Sequence, residues 1–251
     1  MLPILKSEFR KLLTIRSTYV IAFITLALIF LMCFYFEGYK GNTGTAASKL
    51  TGNALQELVG QAAGIGALFV SIIAVLFMAH EYRYNTIMYT LTINARRTKV
   101  LLGKLITITI FGVLFGLAVV LFGIASYYLG LQFRDATLPA QNFDALTQFG
   151  RVAAYYAGYA LVGMLLATLL RAVVGAIAVL LLLPTTIEPL LGNLLLKDNA
   201  AYLPFAALDN IMEASVIKGN ISTGTALLVS AAYVTVGWLI TWYLFLRRDA
   251  N

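Results

Sequence analysis

The stretch His80-Glu81-Tyr82-Arg83-Tyr84-Asn85-Thr86-Ile87-Met88-Tyr89-Thr90-Leu91-Thr92-Ile93-Asn94-Ala95-Arg96-Arg97-Thr98-Lys99, followed closely by Gly103-Lys104, is polar and basic in a chain that is otherwise apolar. Long apolar runs lie on both sides of it. A compact basic loop between two membrane spans belongs on the cytoplasmic side of a bilayer. Within it, Tyr84, Ile87, Met88 and Leu91 recur at i, i+3, i+4 and i+7, which is one apolar face of a short helix. Glu81 and Arg83 stand just past the end of one span. Arg96, Arg97, Lys99 and Lys104 gather at the start of the next, where Glu81 is placed to pair with one of them and brace the two spans. A short amphipathic helix at a cytoplasmic tip suits a groove in a soluble partner.

Working outward, the apolar runs are about twenty residues each, the length that crosses a bilayer. Of the 251 residues, 61% are hydrophobic, against roughly 45–50% in soluble domains, and the mean hydropathy is +0.86. Six spans are expected, at about 17–36, 58–79, 101–129, 152–170, 173–196 and 225–246, all within one transmembrane domain covering 1–251. Before them, Leu2, Leu5, Phe9 and Leu12 or Leu13 form a stripe, with Lys6, Arg10, Lys11 and Arg16 mostly off it. That pattern describes a short basic helix over 1–16 lying in the headgroup layer. Gly60 and Gly64, and again Gly112 and Gly116, form Gly-x3-Gly pairs that permit close helix contact. The fifth span contains Pro184, Glu188 and Pro189, so its helix is expected to end or kink near Pro184. The stretch 186–220 reads as short helices dipping into the outer leaflet. Glu188 is either a structural helix cap or part of an outer gate.

Placing the N-terminus inside puts Lys6, Arg10, Lys11, Arg16, Arg83, Arg96, Arg97, Lys99, Lys104, Arg171, Arg247 and Arg248 in cytoplasmic segments, twelve of the eighteen basic residues. Both chain ends are then cytoplasmic. The net charge of +7 is thereby accounted for by topology, and nucleic acid is not an expected partner. The single cysteine, Cys33, excludes an intrachain disulfide. His80 has no second histidine at metalloprotease spacing, and the chain lacks a Gly-x4-Gly-Lys-Ser/Thr phosphate loop. Neither paired carboxylates nor a Ser-His pair falls within the spans, so an intramembrane enzyme is disfavoured. No metal or cofactor site is expected.

The pattern Glu81-x-Arg83-x-x-Thr86, a short helix, Arg96, and Gly103-Lys104 opening the next span resembles the first cytoplasmic loop of the type-2 ATP-binding-cassette (ABC) permeases of bacterial exporters. Asn85-Thr86 stands where Gly-Thr is usual, and Asn94-Ala95-Arg96 where a Pro-x-Arg turn is frequent. The span layout and the basic helix before the first span extend the likeness over the whole chain. The resemblance implies an all-α polytopic membrane protein with a cytoplasmic coupling helix over about 85–93 and re-entrant outer helices between spans five and six. It implies a transmembrane subunit in the bacterial plasma membrane that works as a dimer, with an identical or paralogous second permease. A separate ATPase subunit would hold ATP and Mg and seat the loop through Glu81, Arg83, Tyr84, Thr86, Ile87, Met88, Leu91 and Arg96. Spans two and five would line the pathway, with Gly64, Ser71, Pro184 and Glu188 as candidate pathway or gate residues. The apolar, aromatic span faces suit a hydrophobic or amphipathic cargo: a drug-like molecule, a lipid-like molecule or an antimicrobial peptide. The competing readings are an ATP-independent transporter or channel and a membrane scaffold or immunity protein.

Overall fold

The computed structural model describes residues 2–40, 52–87, 97–136, 138–213 and 221–247. Every regular element among them is helical. α1 (Leu2–Thr14) is joined through Ile15 to α2 (Arg16–Tyr39), the first span. The next three spans are α3 (Ala54–Arg83), α4 (Arg97–Gln132) and α5 (Ala145–Leu170). The fifth is α6 (Val173–Leu196) and the sixth is α8 (Thr223–Arg247), with α7 (Pro204–Ile211) between them. All six expected spans are present, and most run several residues past the expected ends, because polar residues such as Asn53, Arg97 and Gln132 continue or flank helices beyond the apolar core.

α3 is the hub. Buried residues make up 67% of its most apolar window, against 17% in the first, fifth and sixth spans. Small residues make this possible, since lipid gives helices no hydrophobic reason to associate and close backbone approach must supply the attraction. A Cβ at Gly163 of α5 would collide with the Ser71 carbonyl of α3. Tyr156 of α5, fully buried, wedges between α3 and α4, with its hydroxyl over Gly66 and its ring over Gly116. Gly112 packs on Ala160 in the same seam. The two Gly-x3-Gly pairs thus differ. Gly112 and Gly116 hold a helix contact, whereas Gly60 meets only the Met212 carbonyl, at 3.6 Å, and Gly64 has nothing within 4 Å.

The regular α-helix of the fifth span ends at Leu182, next to Pro184, as expected, but the chain remains helical beyond it. It is α-helical to Leu182, widens into a π-turn over Leu183–Ile187, resumes over Glu188–Leu191 and widens again over Gly192–Leu196. Proline removes one backbone donor, and a π-turn absorbs that loss without stopping the helix. The Thr185 hydroxyl donates to the Leu181 carbonyl at 2.6 Å on the same turn.

One end of the bundle is closed by α7, which polar side chains of α5 and α6 hold in place. The Glu188 carboxylate accepts from the backbone N–H of Phe205 at 2.9 Å and of Ala206 at 2.9 Å. It therefore caps the start of α7 rather than its own helix. Asp209 of α7 accepts from the hydroxyls of Tyr155 (2.9 Å) and Tyr159 (2.8 Å) of α5. At the other end, Arg97 donates to the Leu246 carbonyl at 3.4 Å. The ends of the second and sixth spans and the start of the third therefore share one face.

Gly116→Ala is expected to destabilise the solubilised chain by about 1–3 kcal/mol, the usual cost of overpacking, while Gly64→Ala leaves it unchanged. Chemical unfolding in mild detergent measures both; equal midpoints would contradict this packing.

Candidate functional site

The amphipathic pattern of residues 2–14 makes α1: of the expected stripe Leu12 is buried, Leu5 and Phe9 are half-buried and Leu2 is exposed, while Glu8 is buried one turn before Leu12 and one turn after the half-buried Ile4. A carboxylate on the buried face needs compensation. The compensation comes from two other elements. Glu8 Oε2 accepts from Lys104 Nζ of α4 at 2.6 Å, and Glu8 Oε1 from Lys11 Nζ at 2.7 Å. Glu81 Oε1, on the last turns of α3, accepts from both lysines, at 2.6 Å from Lys104 and 3.0 Å from Lys11. The four groups form a closed, neutral ring joining α1, α3 and α4.

Glu8 and Lys104 are essentially buried, Glu81 is 7% exposed, and Lys11 is half-buried. The third side of the Lys104 ammonium faces the Phe77 ring, 4.7 Å from its centroid. Gly103 lets α1 approach: a Cβ there would stand 2.7 Å from Ile4 Cγ2. Gly103-Lys104 thus has a structural meaning, since the glycine admits α1 and the lysine binds it. Burial pulls the Lys11 ammonium down, but its hydrogen bond to Glu8 and the charges of Glu81 and Glu8 outweigh this and raise its pKa above 10.5.

α3 ends just beyond the ring. Tyr84 terminates the helix and Asn85 follows with φ of 53°. This left-handed position is one that glycine or asparagine takes at low cost, so Asn85 in place of the usual glycine preserves the turn. Thr86 and Ile87 are helical again, and Ile87 is buried in the core. Arg83 and Tyr84 are exposed, with the guanidinium 5.6 Å from the Tyr84 ring centroid and the His80 ring 5.7 Å from it on another side. Of the loop residues singled out from the sequence, Glu81, Arg83, Tyr84, Thr86 and Ile87 come together here. Met88, Leu91 and Arg96 lie outside the described residues, as does most of the expected coupling helix.

The candidate pathway residues are dispersed. Ser71 is buried in the α3–α5 seam, its hydroxyl donating to the Leu68 carbonyl at 2.7 Å. Gly64 lines a cleft of about 990 Å³ at the opposite end of the bundle, together with Phe36, Glu37, Glu57 and Glu213. Pro184 is in the π-turn and Glu188 caps α7. Sequence reasoning missed Glu8 and the inward turn of Lys11. The signal was available: Glu8 is the only acidic residue between Met1 and Arg16, and it falls in line with Ile4 and Leu12.

This arrangement, a helix before the first span locked to a Gly-Lys at the start of the third and to an acid at the end of the second, within six apolar helices, is that of a multi-pass membrane protein. The chain belongs to the ABC-2 transporter family: the family model described as ABC-2 family transporter protein matches residues 4–185, which include the whole ring and the loop. No curated protein matches the chain. Membership makes it a multi-pass membrane subunit of an ABC transporter and implies an ABC ATPase as its general partner.

Removing one charge from the ring leaves the others buried and unbalanced, which costs about 3–5 kcal/mol. Lys104→Met is expected to destabilise by that order. Glu8→Gln and Glu81→Gln added to it should restore most of the loss, and a triple variant no better than the single one would show that the ring is not what the lysine supports. A lysine with a raised pKa contributes stability that is present below its ordinary value and lost as pH rises through the folded value. Protection of α1 from proteolysis should therefore be constant through the neutral range and fall only above pH 10.5.

Proposed function

We propose that this chain is the permease half of an ATP-driven exporter and that its 81–99 segment receives the stroke of a separate ABC ATPase. The observation that carries this reading is the buried ring of Glu8, Lys11, Glu81 and Lys104. It ties both ends of the loop to one another and to α1. A displacement of the loop is then passed to the second and third spans as a unit instead of being lost in the side chains at its base.

Family membership supports the ATPase partner. ATP and Mg belong to that partner, and hydrolysis is not this chain's own chemistry. A second permease, identical or paralogous, completes the pathway. The uncovered apolar faces of α2 and α6, including Phe23, Val174 and Leu182, support room for it beside lipid. Spans two and five line the pathway, and α7 with its Glu188 cap forms the outer gate. The cleft beside Gly64 combines Met32, Phe36 and Ile65 with Glu37 and Glu57, which favours an amphipathic cargo such as a drug-like molecule, a lipid-like molecule or an antimicrobial peptide. The loop face is cytoplasmic in a bacterial plasma membrane, and both chain ends lie on it, in agreement with the excess of basic residues there.

Purification of the tagged chain in mild detergent, with and without Leu91 and the exposed Tyr84 replaced by serine, tests the partner, since Ile87 is turned into the chain's own core. A stoichiometric ATPase that is lost in the variant is the expected result. Recovery of wild type without any ATPase would favour an ATP-independent transporter or a scaffold. In reconstituted vesicles Arg83→Ala should lower transport at least tenfold while ATP hydrolysis persists. Unchanged transport would remove Arg83 from the coupling path.

A further inference from the structure

The ionic ring reaches α1, α3 and α4, and none of its four members is on α6. The fifth span nevertheless has its own contact with the base of the loop. Arg171 lies in the two-residue turn between α5 and α6, and its guanidinium stands over the Tyr82 ring of α3, 5.2 Å from the centroid. Tyr82 follows Glu81 in sequence. Its carbonyl accepts from the N–H of Asn85 at 3.2 Å, inside the turn that opens the loop. One residue thus touches both the turn that begins the loop and the turn that begins the fifth span.

Arg171 is the only charged residue between Arg151 and Glu188. A basic residue between two spans is enough to fix topology, and one with that duty alone extends its charge to water or headgroups. Arg171 is instead half-buried, and its backbone is left-handed, with φ of 52° and ψ of 16°. It stands at a helix end where glycine is the usual residue. A residue with a Cβ is held in that conformation only at a cost, and such positions cluster where a moving part is clamped. Beyond the turn, the two helices differ in freedom. α5 is wedged into α3 and α4 through Tyr156 and Gly163, whereas only 17% of the apolar window of α6 is buried. The inner face of α6, with Val173, Ala176, Ile177 and Leu180 at i, i+3, i+4 and i+7, packs into the core shared with α3. Its far part carries Glu188, which caps α7. One helix therefore starts under the loop and ends on α7.

We infer that Arg171 is a positioning residue of the transport cycle: stacked on Tyr82, it hands the displacement of the loop base to the fifth span, and the Glu188 cap passes that displacement to α7. A packed contact followed by a continuous helical element is the kind of structure that carries coupling between distant sites. The ring moves the second and third spans together, and the Tyr82–Arg171 contact brings the fifth with them. This role rests on the ATPase stroke proposed above.

Spin labels at Leu146→Cys, at the far end of α5, and Leu195→Cys, at the far end of α6, sit at positions more than two thirds exposed. In a chain with Cys33→Ala, diluted with unlabelled chain so that one labelled copy is read per complex, they report the separation of the two helices with the ATPase bound, before and after ATP is trapped. Arg171→Gly removes the guanidinium and leaves a residue that takes the left-handed backbone at no steric cost. Tyr82→Leu removes the ring, and Tyr82→Phe keeps it. The expected result is a shift of the wild-type distance on trapping ATP that is lost in Arg171→Gly and Tyr82→Leu and retained in Tyr82→Phe, while all three variants still bind an ATPase that hydrolyses ATP. A contact that served only the fold would lower the unfolding midpoint of Tyr82→Leu and leave its shift in place, which would overturn the role. An undiminished shift in Arg171→Gly, or no shift in wild type with the ATPase bound, would overturn it as well. Wild type recovered without any ATPase would overturn the ATPase reading, and this role with it.

Discussion

Two carboxylates and two ammonium groups taken out of water must meet one another, because a single one left unpaired costs several kcal/mol. That constraint governs the loop end of this protein. Glu8, Glu81 and Lys104 are buried, and each depends on the position of a different helix. α1 therefore cannot leave the bundle without exposing Lys104 and Glu81 to an unbalanced interior. Nor can the end of the second span move away from the start of the third. The ring makes one body of three elements that are separated by about a hundred residues of sequence. In the function proposed above, this body is where the chain would meet its ATPase.

The membrane part follows a different constraint. Its helices meet through small residues and one large wedge, Tyr156, rather than through charge. This is why α3 and α5 form the centre, while α2, α6 and α8 present apolar faces outward. At the far end, α7 is fixed to its neighbours by hydrogen bonds that Tyr155 and Tyr159 donate to Asp209 and that the Glu188 carboxylate accepts from the start of α7. One end of the molecule is locked by a buried ionic ring and the other by hydrogen bonds to Glu188 and Asp209 and by the more exposed Arg151–Glu213 ion pair. The span between them is held by van der Waals contact.

Much of this was legible in the residues. Runs of apolar sequence locate all six spans, since burial in lipid imposes length more strictly than burial in a soluble core. The Glu81 and Gly103-Lys104 pattern pointed to a brace between the second and third spans, and Lys104 is the partner that forms it. What was not legible depended on tertiary placement. Periodicity put Leu2 on the apolar face of α1, but Leu2 is exposed, and Glu8, outside the expected stripe, is buried where it meets Lys104. Pro184 marked where the regular α-helix ends, but the residues do not show that the backbone continues through a π-turn rather than leaving the helix. The two Gly-x3-Gly pairs were equivalent in sequence and only the position of Tyr156 separates them.

The claim that the ring makes α1 and the base of the loop a single moving body is open to a direct distance measurement. Spin labels at Lys6→Cys on α1 and Lys99→Cys on α4, in a chain with Cys33→Ala, report their separation in the complex with the ATPase, with and without trapped ATP. A second sample carries only the Lys99 label and reports the distance between the two subunits of the proposed permease dimer. The account predicts that the separation between α1 and α4 is the same in both states while the intersubunit distance shifts. A change in the α1–α4 distance on trapping ATP would show that the ring opens during the cycle and would contradict the account.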